Sequence, residues 1–424
     1  MKNMNRFVFS SFAAFAVLGV TAAPEISDIH LSQDARRNLV VTYHLKEDAI
    51  VALDVLTNGV SIGDAPLSVG VTGDAFKAVK AGDHTIVWKA RKAWPNQVAS
   101  ALSVRLTPIA LAAAPTWMDI NLAEGGETHF YERESQLIGG SYSNDAYKTS
   151  HLLLKRIPAA GRPWNMGGNF AVSKILGNRW KNVHVVTLSE DFYIGVFELT
   201  QGQAKYWPAH RNYADGNDKI AAGEISYVDA RGANTDADWP KDGHFVADGS
   251  LLKFIRDRSG QDVDLPTDAQ WDFATRSYDE LPLECANWRN DNVIKDEVMR
   301  VGWPSNNAAR VVREVGLKVA NHYGLHDTVG NIGEWVLDWC ETEIAPATVI
   351  DPVGPEAQSI GSNGQATITT WKGGSETVGR CFRGGCVNFD YNMCLPSYRN
   401  WQSDSARSNI YGVRVCAPGT VKAN

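Results

Sequence analysis

Four of the six cysteines in the chain lie in one stretch near its end, CFRGGCVNFDYNMCLPSYRNWQSDSARSNIYGVRVC, residues 381–416. Cysteine sulfur can bind a soft metal ion, form a disulfide, or fill a core as a small apolar group. Cys386 directly follows an Arg-Gly-Gly turn, and Cys394 comes eight residues later. The state of this pair decides whether the stretch is catalytic or serves recognition.

The first residues determine how the cysteines are interpreted. Lys2 and Arg6 precede the apolar run FVFSSFAAFAVLGV, and small residues follow it, which is typical of a signal peptide spanning 1–22. We therefore expect an exported protein, periplasmic or extracellular, in which cysteines can pair. No later run is long and apolar enough to predict a membrane span.

The charge balance limits the class of partner. The chain carries 41 basic and 48 acidic residues, a net charge of −7. Cleavage after Ala22 removes two basic residues, which leaves 41 − 2 = 39 and a net charge of 39 − 48 = −9. We expect no nucleic-acid partner, because binding to phosphates requires an excess of basic side chains.

The pattern of the chain divides it into parts. Residues 24–112 contain strand-like runs such as NLVVTYHL and HTIVWKA separated by turn residues, which predicts a small all-β sandwich. Residues 113–149 are interpreted as a linker, 150–418 as a second domain with long irregular loops, and 419–424 as a tail. In LPTDAQWDFATR, Thr267 and Gln270 predict a capping box at a helix start, and LTQGQAKYW begins similarly at Thr200.

Several motifs in a fixed order resemble one known family. They are DFYIGVFELTQGQ (191–203), EISYVDA (224–230), DLPTDAQWDFATR (264–276), EVGLKVANHYGLHDTVGNIGEW (314–335), and the FRGGC, YRNW and NIYGVRV motifs within 382–415. This set is similar to the formylglycine-generating enzyme, or sulfatase-modifying factor, family over about residues 150–418. The resemblance implies an α+β domain of the C-type-lectin-like fold with little regular secondary structure.

The resemblance also implies calcium. In GLHDTVGNIGEW the family's ligands fall on the Asp327 side chain, the Gly330 and Ile332 carbonyls, and the Glu334 side chain. These are oxygen ligands of the kind that Ca²⁺ prefers. A second family site implies the Asn287 side chain and the Trp288 carbonyl, with its other half near Asn307.

The copper site of this family requires two cysteines five residues apart, and the sequence departs from that pattern. Counted forward from the Arg-Gly-Gly turn, Phe389 takes the first copper position and Cys394 the second. Counted back from Arg399, Cys386 takes the first and Tyr391 the second. Either register keeps one sulfur and loses its partner.

Three states of Cys386 and Cys394 remain open. In order of preference, the two cysteines form a disulfide, they bind Cu⁺ in an altered geometry, or Cys394 is a buried apolar group. Of the remaining cysteines, Cys381 and Cys416 stand at the two ends of the segment and are a reasonable second pair.

Two functions therefore compete. The first is a calcium-stabilised binding or accessory module whose 386–411 surface takes a protein, a peptide or a small ligand. The second is a copper-dependent oxidoreductase that converts a protein cysteine to formylglycine, or a related oxidation, with Cys386 and Cys394 as ligands and Arg399 and Asn409 positioning the substrate. The side chains of the expected binding surface are Asn388, Tyr391, Asn392, Trp401 and Tyr411.

Overall fold

The structure is a computed structural model that describes residues 23–97, 101–167, 184–210, 216–232, 245–276, 291–342 and 344–424, without the side chains of 276 and 291–294. The signal peptide expected over 1–22 lies outside this range, as do Cys285, Asn287 and Trp288. Among the described residues, no helix is both long and apolar enough to cross a bilayer.

Two antiparallel sheets occupy the N-terminal part. Their strands are β1 (Ile26–Gln33), β2 (Leu39–Leu45), β3 (Ala49–Thr57), β4 (Val60–Ser61), β5 (Val71–Gly73), β6 (Ala78–Val79), β7 (Gly82–Trp88) and β8 (Leu102–Ala110). One sheet has the order β1-β2-β7-β5, and in the other β3 pairs with β8 along its whole length and with β4 and β6 at its two ends.

The alternation seen in the sequence explains this arrangement. In β2 the side chains of Leu39, Val41, Tyr43 and Leu45 are buried while those between them are more exposed. They join buried residues of β3 and β7 in one apolar cluster, and each fully buried aliphatic side chain contributes about 1.5–3 kcal/mol. The existence of two sheets agrees with the expected sandwich, and its folding as an independent domain stays a prediction.

The predicted linker, residues 113–149, is instead part of a sheet. Strands β9 (Trp117–Asn121) and β10 (Thr128–Tyr131) fall within it and precede β11 (His151–Ile157). Together with β14 (Phe192–Gly195) and β23 (Cys416–Pro418) they form a five-stranded sheet with the order β10-β9-β11-β14-β23. Sequence composition did not reveal these strands, because WMDIN and THFY are short and lie beside Gly- and Pro-rich stretches.

Three further sheets lie within the described residues of the C-terminal part. Their strands are β12 (Pro163–Met166), β13 (His184–Thr187), β15 (Gly333–Trp339), β16 (Val349–Ile350), β17 (Ala357–Ile360), β18 (Ala366–Thr369), β19 (Ser375–Val378), β20 (Arg380–Arg383), β21 (Asn400–Gln402) and β22 (Tyr411–Gly412). The orders are β12-β13-β16, β17-β18-β19 and β21-β20-β15-β22. The last of these positions the candidate site.

Helices are short, as expected. They are α1 (Ala90–Ala93), α2 (Gln201–Ala204), α3 (Tyr227–Arg231), α4 (Leu251–Ser259), α5 (Asp268–Arg276), α6 (Asp291–Val301) and α7 (Ser305–Ala308), with 3-10 turns at Leu111–Ala113, Glu134–Gln136, Ile138–Gly140, Asp145–Lys148 and Tyr391–Cys394. Both predicted capping boxes are present. The backbone N–H of Gln270 donates to the hydroxyl of Thr267 at 3.0 Å, and the backbone N–H of Gln203 donates to the hydroxyl of Thr200 at 3.2 Å.

The last residues connect the two parts of the chain. The backbone N–H of Val421 donates to the carbonyl of Leu111, and that of Asn424 donates to Ala78 on β6. Val421 is buried in the same apolar cluster as Ile50 and Ala78 of the N-terminal sheets. The segment predicted as a tail therefore packs between the N-terminal sheets and the rest of the molecule.

Candidate functional site

The turn after β20 brings two cysteines together. Gly384 and Gly385 have φ of +83° and +72°, a left-handed conformation that favours glycine. A β-carbon on Gly385 would lie 2.6 Å from the sulfur of Cys394 and 2.5 Å from the carbonyl oxygen of Met393. The glycine is therefore required for close contact between this turn and the 3-10 turn Tyr391–Cys394.

Cys386 and Cys394 are both fully buried and are present as thiols. The thiol of Cys394 donates to the carbonyl oxygen of Cys386 at 3.7 Å. Burial raises the pKa of Cys386 to about 11, although the backbone N–H groups of Asn388 and Phe389 partly oppose the shift. Burial also raises the pKa of Cys394, with a smaller contribution from Cys386. Neither sulfur is readily ionised in the absence of a metal, so neither is prepared as a free nucleophile.

Phe389 stands at the first copper position in the forward register, and its ring belongs to an aromatic row. The ring lies 6.4 Å from that of Phe382 and 6.3 Å from that of Tyr398. Phe389 also packs against the apolar cluster that contains Cys394. An aromatic ring thus occupies the place of a sulfur, and the donor set does not fit the family's copper site.

The other described cysteines are free thiols, and their neighbours differ from those that the sequence predicted. Cys381, on β20, lies beside Cys340 in a buried cluster with Trp271 and Val336. Cys416, on β23, belongs to a separate cluster, and its thiol donates to Gln270. Cys381 and Cys416 are both free thiols in different clusters, which contradicts the predicted pair.

Arg399 and Asn409, the two residues predicted to position a substrate, differ in exposure. Arg399 is buried, and its guanidinium lies 2.7 Å from the carboxylate of Asp268 and donates to the carbonyl of Glu341 at 3.1 Å. The same Asp268 also contacts Arg383 at 3.1 Å. Arg399 therefore supports the fold beneath the turn, whereas Asn409 is exposed.

The expected binding surface is smaller than the sequence indicated. Tyr391 and Tyr411 are buried, and the Tyr411 ring lies 5.0 Å from Phe382. Asn388 is exposed, and Asn392 and Trp401 are half-buried. Only these three predicted residues can present polar or aromatic groups to a ligand, because the two tyrosines belong to the core.

Glu334 was predicted as a calcium ligand, and its carboxylate is already fully engaged. The Arg414 guanidinium donates to both of its oxygens at 2.6–3.0 Å, and the Trp271 indole donates to one at 2.6 Å. Neither Glu334 nor Arg414 has any exposed side-chain surface. Glu334 therefore does not fit as a calcium ligand, because a cation would have to displace a buried guanidinium.

Asp327 is in a different situation. One carboxylate oxygen accepts the backbone N–H of Gly316 at 2.6 Å, while the other is buried and has no hydrogen-bond partner. Burial raises the pKa of Asp327 to about 6, even though that N–H and Arg414 oppose the shift and Glu334 adds to it. An unpartnered buried oxygen is what a missing cation would leave, so Asp327 fits the prediction.

Sequence reasoning missed Glu198, which completes this buried charged cluster. Its oxygens accept the side-chain amide of Asn331 at 2.5 Å and the backbone N–H of Ile332 at 3.1 Å. Burial raises the pKa of Glu198 well above its usual value, and the neighbouring Asp327 and Glu334 add to the shift. A single carboxylate in the apolar run IGVFEL was the feature that could have revealed it.

No group of three or more Asp, Glu, His or Cys side chains in the described ranges is arranged to hold a metal ion. Both named ligands of the second predicted calcium site, Asn287 and Trp288, lie outside those ranges. Asn307 donates its amide to the carbonyls of Met299 and Gly302, and its side-chain oxygen is buried without a partner.

Comparison with known proteins identifies similar sequences. Residues 158–418 match the sulfatase-modifying factor enzyme 1-like domain. The formylglycine-generating enzyme of Thermomonospora curvata is 32% identical over 123 residues, a match that covers 26% of this chain and 37% of that enzyme. The match thus spans little more than a third of that relative.

Solved structures show weaker likeness. Variable protein 1 of Treponema denticola is 20% identical with a TM-score of 0.43, over 63% of this chain and 95% of that one. PvdO from Pseudomonas aeruginosa is 14% identical with a TM-score of 0.42, over 63% of this chain and 94% of that one. With TM-scores this low, neither likeness bears on the function of this chain.

Proposed function

The chain belongs to the family of the sulfatase-modifying factor enzyme 1-like domain, and from that premise we propose that it is a binding or accessory module rather than a cysteine oxidase. The motif-based resemblance to this family is confirmed. Membership alone does not establish catalysis, because one fold supports many functions.

The observation that carries the proposal is the aromatic ring of Phe389 at a copper position. Cu⁺ in a two-sulfur site requires two thiolates at a fixed separation. Here one of the two family positions carries Phe389, so Cys394 has no sulfur partner at the family spacing. The binding surface is then the exposed part of residues 386–411, with Asn388, Asn392 and Trp401 available to a protein, a peptide or a small ligand.

Calcium stabilisation is the second part of the proposal. It is supported by the buried, unpartnered oxygen of Asp327. Because Glu334 is held by Arg414, we narrow the proposed ligand set to the Asp327 side chain and the carbonyls of Gly330 and Ile332. Export through residues 1–22 is also part of the proposal, and sequencing the N-terminus of the mature protein tests it.

A test compares the chain with a variant that restores the missing sulfur. Phe389→Cys creates a cysteine five residues before Cys394, the spacing required by the family. Both proteins are titrated with Cu⁺ against a competing chelator, then incubated in air with a Cys-x-Pro-x-Arg peptide and examined by mass spectrometry. We expect the natural chain neither to compete for copper nor to convert the peptide, and the variant to gain copper binding.

One observation favours the oxidoreductase as a second candidate. Cys394 contacts Cys386, so two sulfur-bearing residues remain together beside the turn. Peptide conversion by the natural chain establishes that candidate and refutes the binding-only proposal. Mapping of a Cys386–Cys394 disulfide together with absence of conversion excludes it.

A further inference from the structure

A groove in the N-terminal part of the chain is unrelated to the site described above. It is a cavity of about 750 Å³, bounded by β1, the turn that follows it, the end of β7, and α1 with the residues after it. Because Arg37 and Arg91 line it, we call it the arginine groove.

Both arginines are exposed, and their charges are unpaired. Neither guanidinium forms a hydrogen bond or an ion pair with any residue that the structure describes, and no residue lining the arginine groove is acidic. The nearby carboxylate of Asp34 accepts the backbone N–H groups of Arg36 and Asn38 instead. In a chain with a net charge of −7, the arginine groove is a local concentration of positive charge.

The backbone holds Arg37 in place. Its φ is +63°, and its N–H donates to the carbonyl of Asp34 at 2.8 Å while its own carbonyl accepts the Gln33 side chain at 3.3 Å. A non-glycine residue in this conformation is uncommon, and a surrounding turn must maintain it. The turn therefore fixes the backbone position from which the Arg37 side chain extends.

Trp94 supplies a flat apolar face in the same groove. Its ring lies 6.2 Å from that of Trp88, and the Trp88 indole donates to the carbonyl of Pro66 at 3.0 Å. Trp88 is buried, whereas Trp94 is half-buried and keeps part of its surface open. Packing against a fixed partner therefore orients the Trp94 ring before any ligand arrives.

The remaining polar lining includes Ser32, Asn96 and Gln97, whose side chains form no hydrogen bond with another described residue. A hydroxyl group both donates and accepts, as do these side chains. An apolar ligand would leave the arginines and amides unpaired, which is unfavourable on desolvation.

We propose that the arginine groove binds an anionic oligosaccharide, with one pyranose ring stacked on Trp94 and carboxylate or sulfate groups on Arg37 and Arg91. Hydroxyl groups of the ligand meet Ser32, Asn96 and Gln97. The site is independent of the proposed function of residues 150–418, so either can fail without the other.

The test uses the full chain and isothermal titration calorimetry with three tetrasaccharides: an oligogalacturonate, a chondroitin sulfate fragment and an uncharged galactan. We expect at least one anionic oligosaccharide to bind, more weakly as salt rises, and the uncharged one to bind at least about tenfold more weakly. Binding of the oligogalacturonate shows that carboxylates are sufficient. Binding of the chondroitin sulfate fragment alone shows that sulfate is required, because that fragment carries both carboxylates and sulfates.

Variants locate the site. Arg37→Gln with Arg91→Gln lowers affinity at least about tenfold, because charge-assisted hydrogen bonds are lost. Trp94→Ala lowers it by a similar factor. Arg36→Gln is the matched control, since Arg36 is exposed and adjacent in sequence but does not line the arginine groove. It should retain affinity within about twofold.

The proposal is overturned if neither anionic oligosaccharide binds at millimolar concentration, or if Arg36→Gln weakens binding as much as the groove variants. It is also overturned if the galactan binds as tightly as the charged oligosaccharides. A glutamate tetrapeptide that displaces the oligosaccharide at equal concentration would assign the groove to acidic peptides instead. Unchanged melting temperatures establish that each variant is folded.

Discussion

The guanidinium of Arg414 contacts both carboxylate oxygens of Glu334, at 2.6–3.0 Å, in a part of the core where neither side chain is exposed. Arg414 also donates to the carbonyls of Gly195 and His326. The pair thereby connects β15 with the end of β14 and with the segment before Asp327. It also fixes the carboxylate that the family resemblance assigned to calcium.

Removal of this arginine should be strongly destabilising. Arg414→Met leaves Glu334 buried without its charge partner, and we expect the free energy of unfolding to fall by about 3–5 kcal/mol. Urea denaturation measures it. The double variant Arg414→Met with Glu334→Gln should recover part of the loss, because no uncompensated charge then remains in the core.

An exposed ion pair serves as the control. Arg300 contacts Glu297 at 2.5 Å, with side chains 53% and 40% exposed. Arg300→Met should change the free energy of unfolding by less than about 1 kcal/mol. If Arg414→Met costs no more than this control, the buried pair does not stabilise the fold as we argue.

The sequence predicted local features of this site and missed long-range ones. The capping boxes at Thr200 and Thr267 were predictable, since each depends on residues three apart. Arg414 and Glu334 are 80 residues apart in the sequence, and Glu198 is 133 residues from Asn331, whose side-chain amide donates to it. Sequence spacing does not reveal such contacts, so the family resemblance and the chemistry of a carboxylate assigned Glu334 to calcium.

The same limit applies to the aromatic residues. Tyr391 stands between Asp390 and Asn392, and Tyr411 follows the polar stretch SDSARSN by two residues. Such a loop-like context fits either a displayed surface or a core contact. Their burial depends on Val298 for Tyr391 and on Trp335 for Tyr411, both far away in the sequence. Only the fold could separate them from Asn388 and Asn392.

Removal of calcium should lower the melting temperature. An ion that binds only the folded chain at a hundred times its dissociation constant stabilises it by about 2.7 kcal/mol, so we expect a decrease of about 3–5 °C with EGTA. Asp327→Asn should be insensitive to EGTA, because the proposed side-chain ligand has lost its charge. Differential scanning calorimetry with and without added Ca²⁺ measures both.

Asp83→Asn is the control for this experiment, since Asp83 is a carboxylate with a 92% exposed side chain on β7. It should respond to EGTA as the natural chain does. Equal melting curves for the natural chain before and after removal of metal, verified by elemental analysis, contradict the proposed calcium site.

The stability of the chain should also depend on the ionisation of Asp338. One of its oxygens accepts the backbone N–H of Asp268 at 2.8 Å, and the side chain is nearly fully buried. Burial raises its pKa from 3.8 to about 7, with Asp268 adding to the shift and Arg399 opposing it. Below about pH 4 the carboxyl is protonated in both the folded and the unfolded chain. The raised pKa then makes its full contribution to the free energy of unfolding.

As the pH rises from about 4 to 7, the unfolded chain loses this proton first, so the contribution of Asp338 to stability declines. Asp338→Asn removes the titration. The free energy of unfolding of the natural chain minus that of the variant should therefore decrease between pH 4 and pH 7 and level off above. Urea denaturation at several pH values measures the difference, and a difference that is constant or increases with pH refutes the assignment.

Gly385 should be the least replaceable residue of the turn beside Cys386. Gly385→Ala places a β-carbon 2.6 Å from the sulfur of Cys394 and 2.5 Å from the carbonyl of Met393, in a buried position with φ of +72°. The left-handed backbone costs about 1–2 kcal/mol for alanine, and forced displacement of packed atoms costs about 1–3 kcal/mol more.

Gly373→Ala separates these contributions, because Gly373 has φ of +80° and no atom within 4 Å of the added carbon. We expect urea denaturation to show the smaller cost for Gly373→Ala and the sum for Gly385→Ala. Equal costs would mean that the turn and the Cys394 segment are not in the contact on which the candidate site depends.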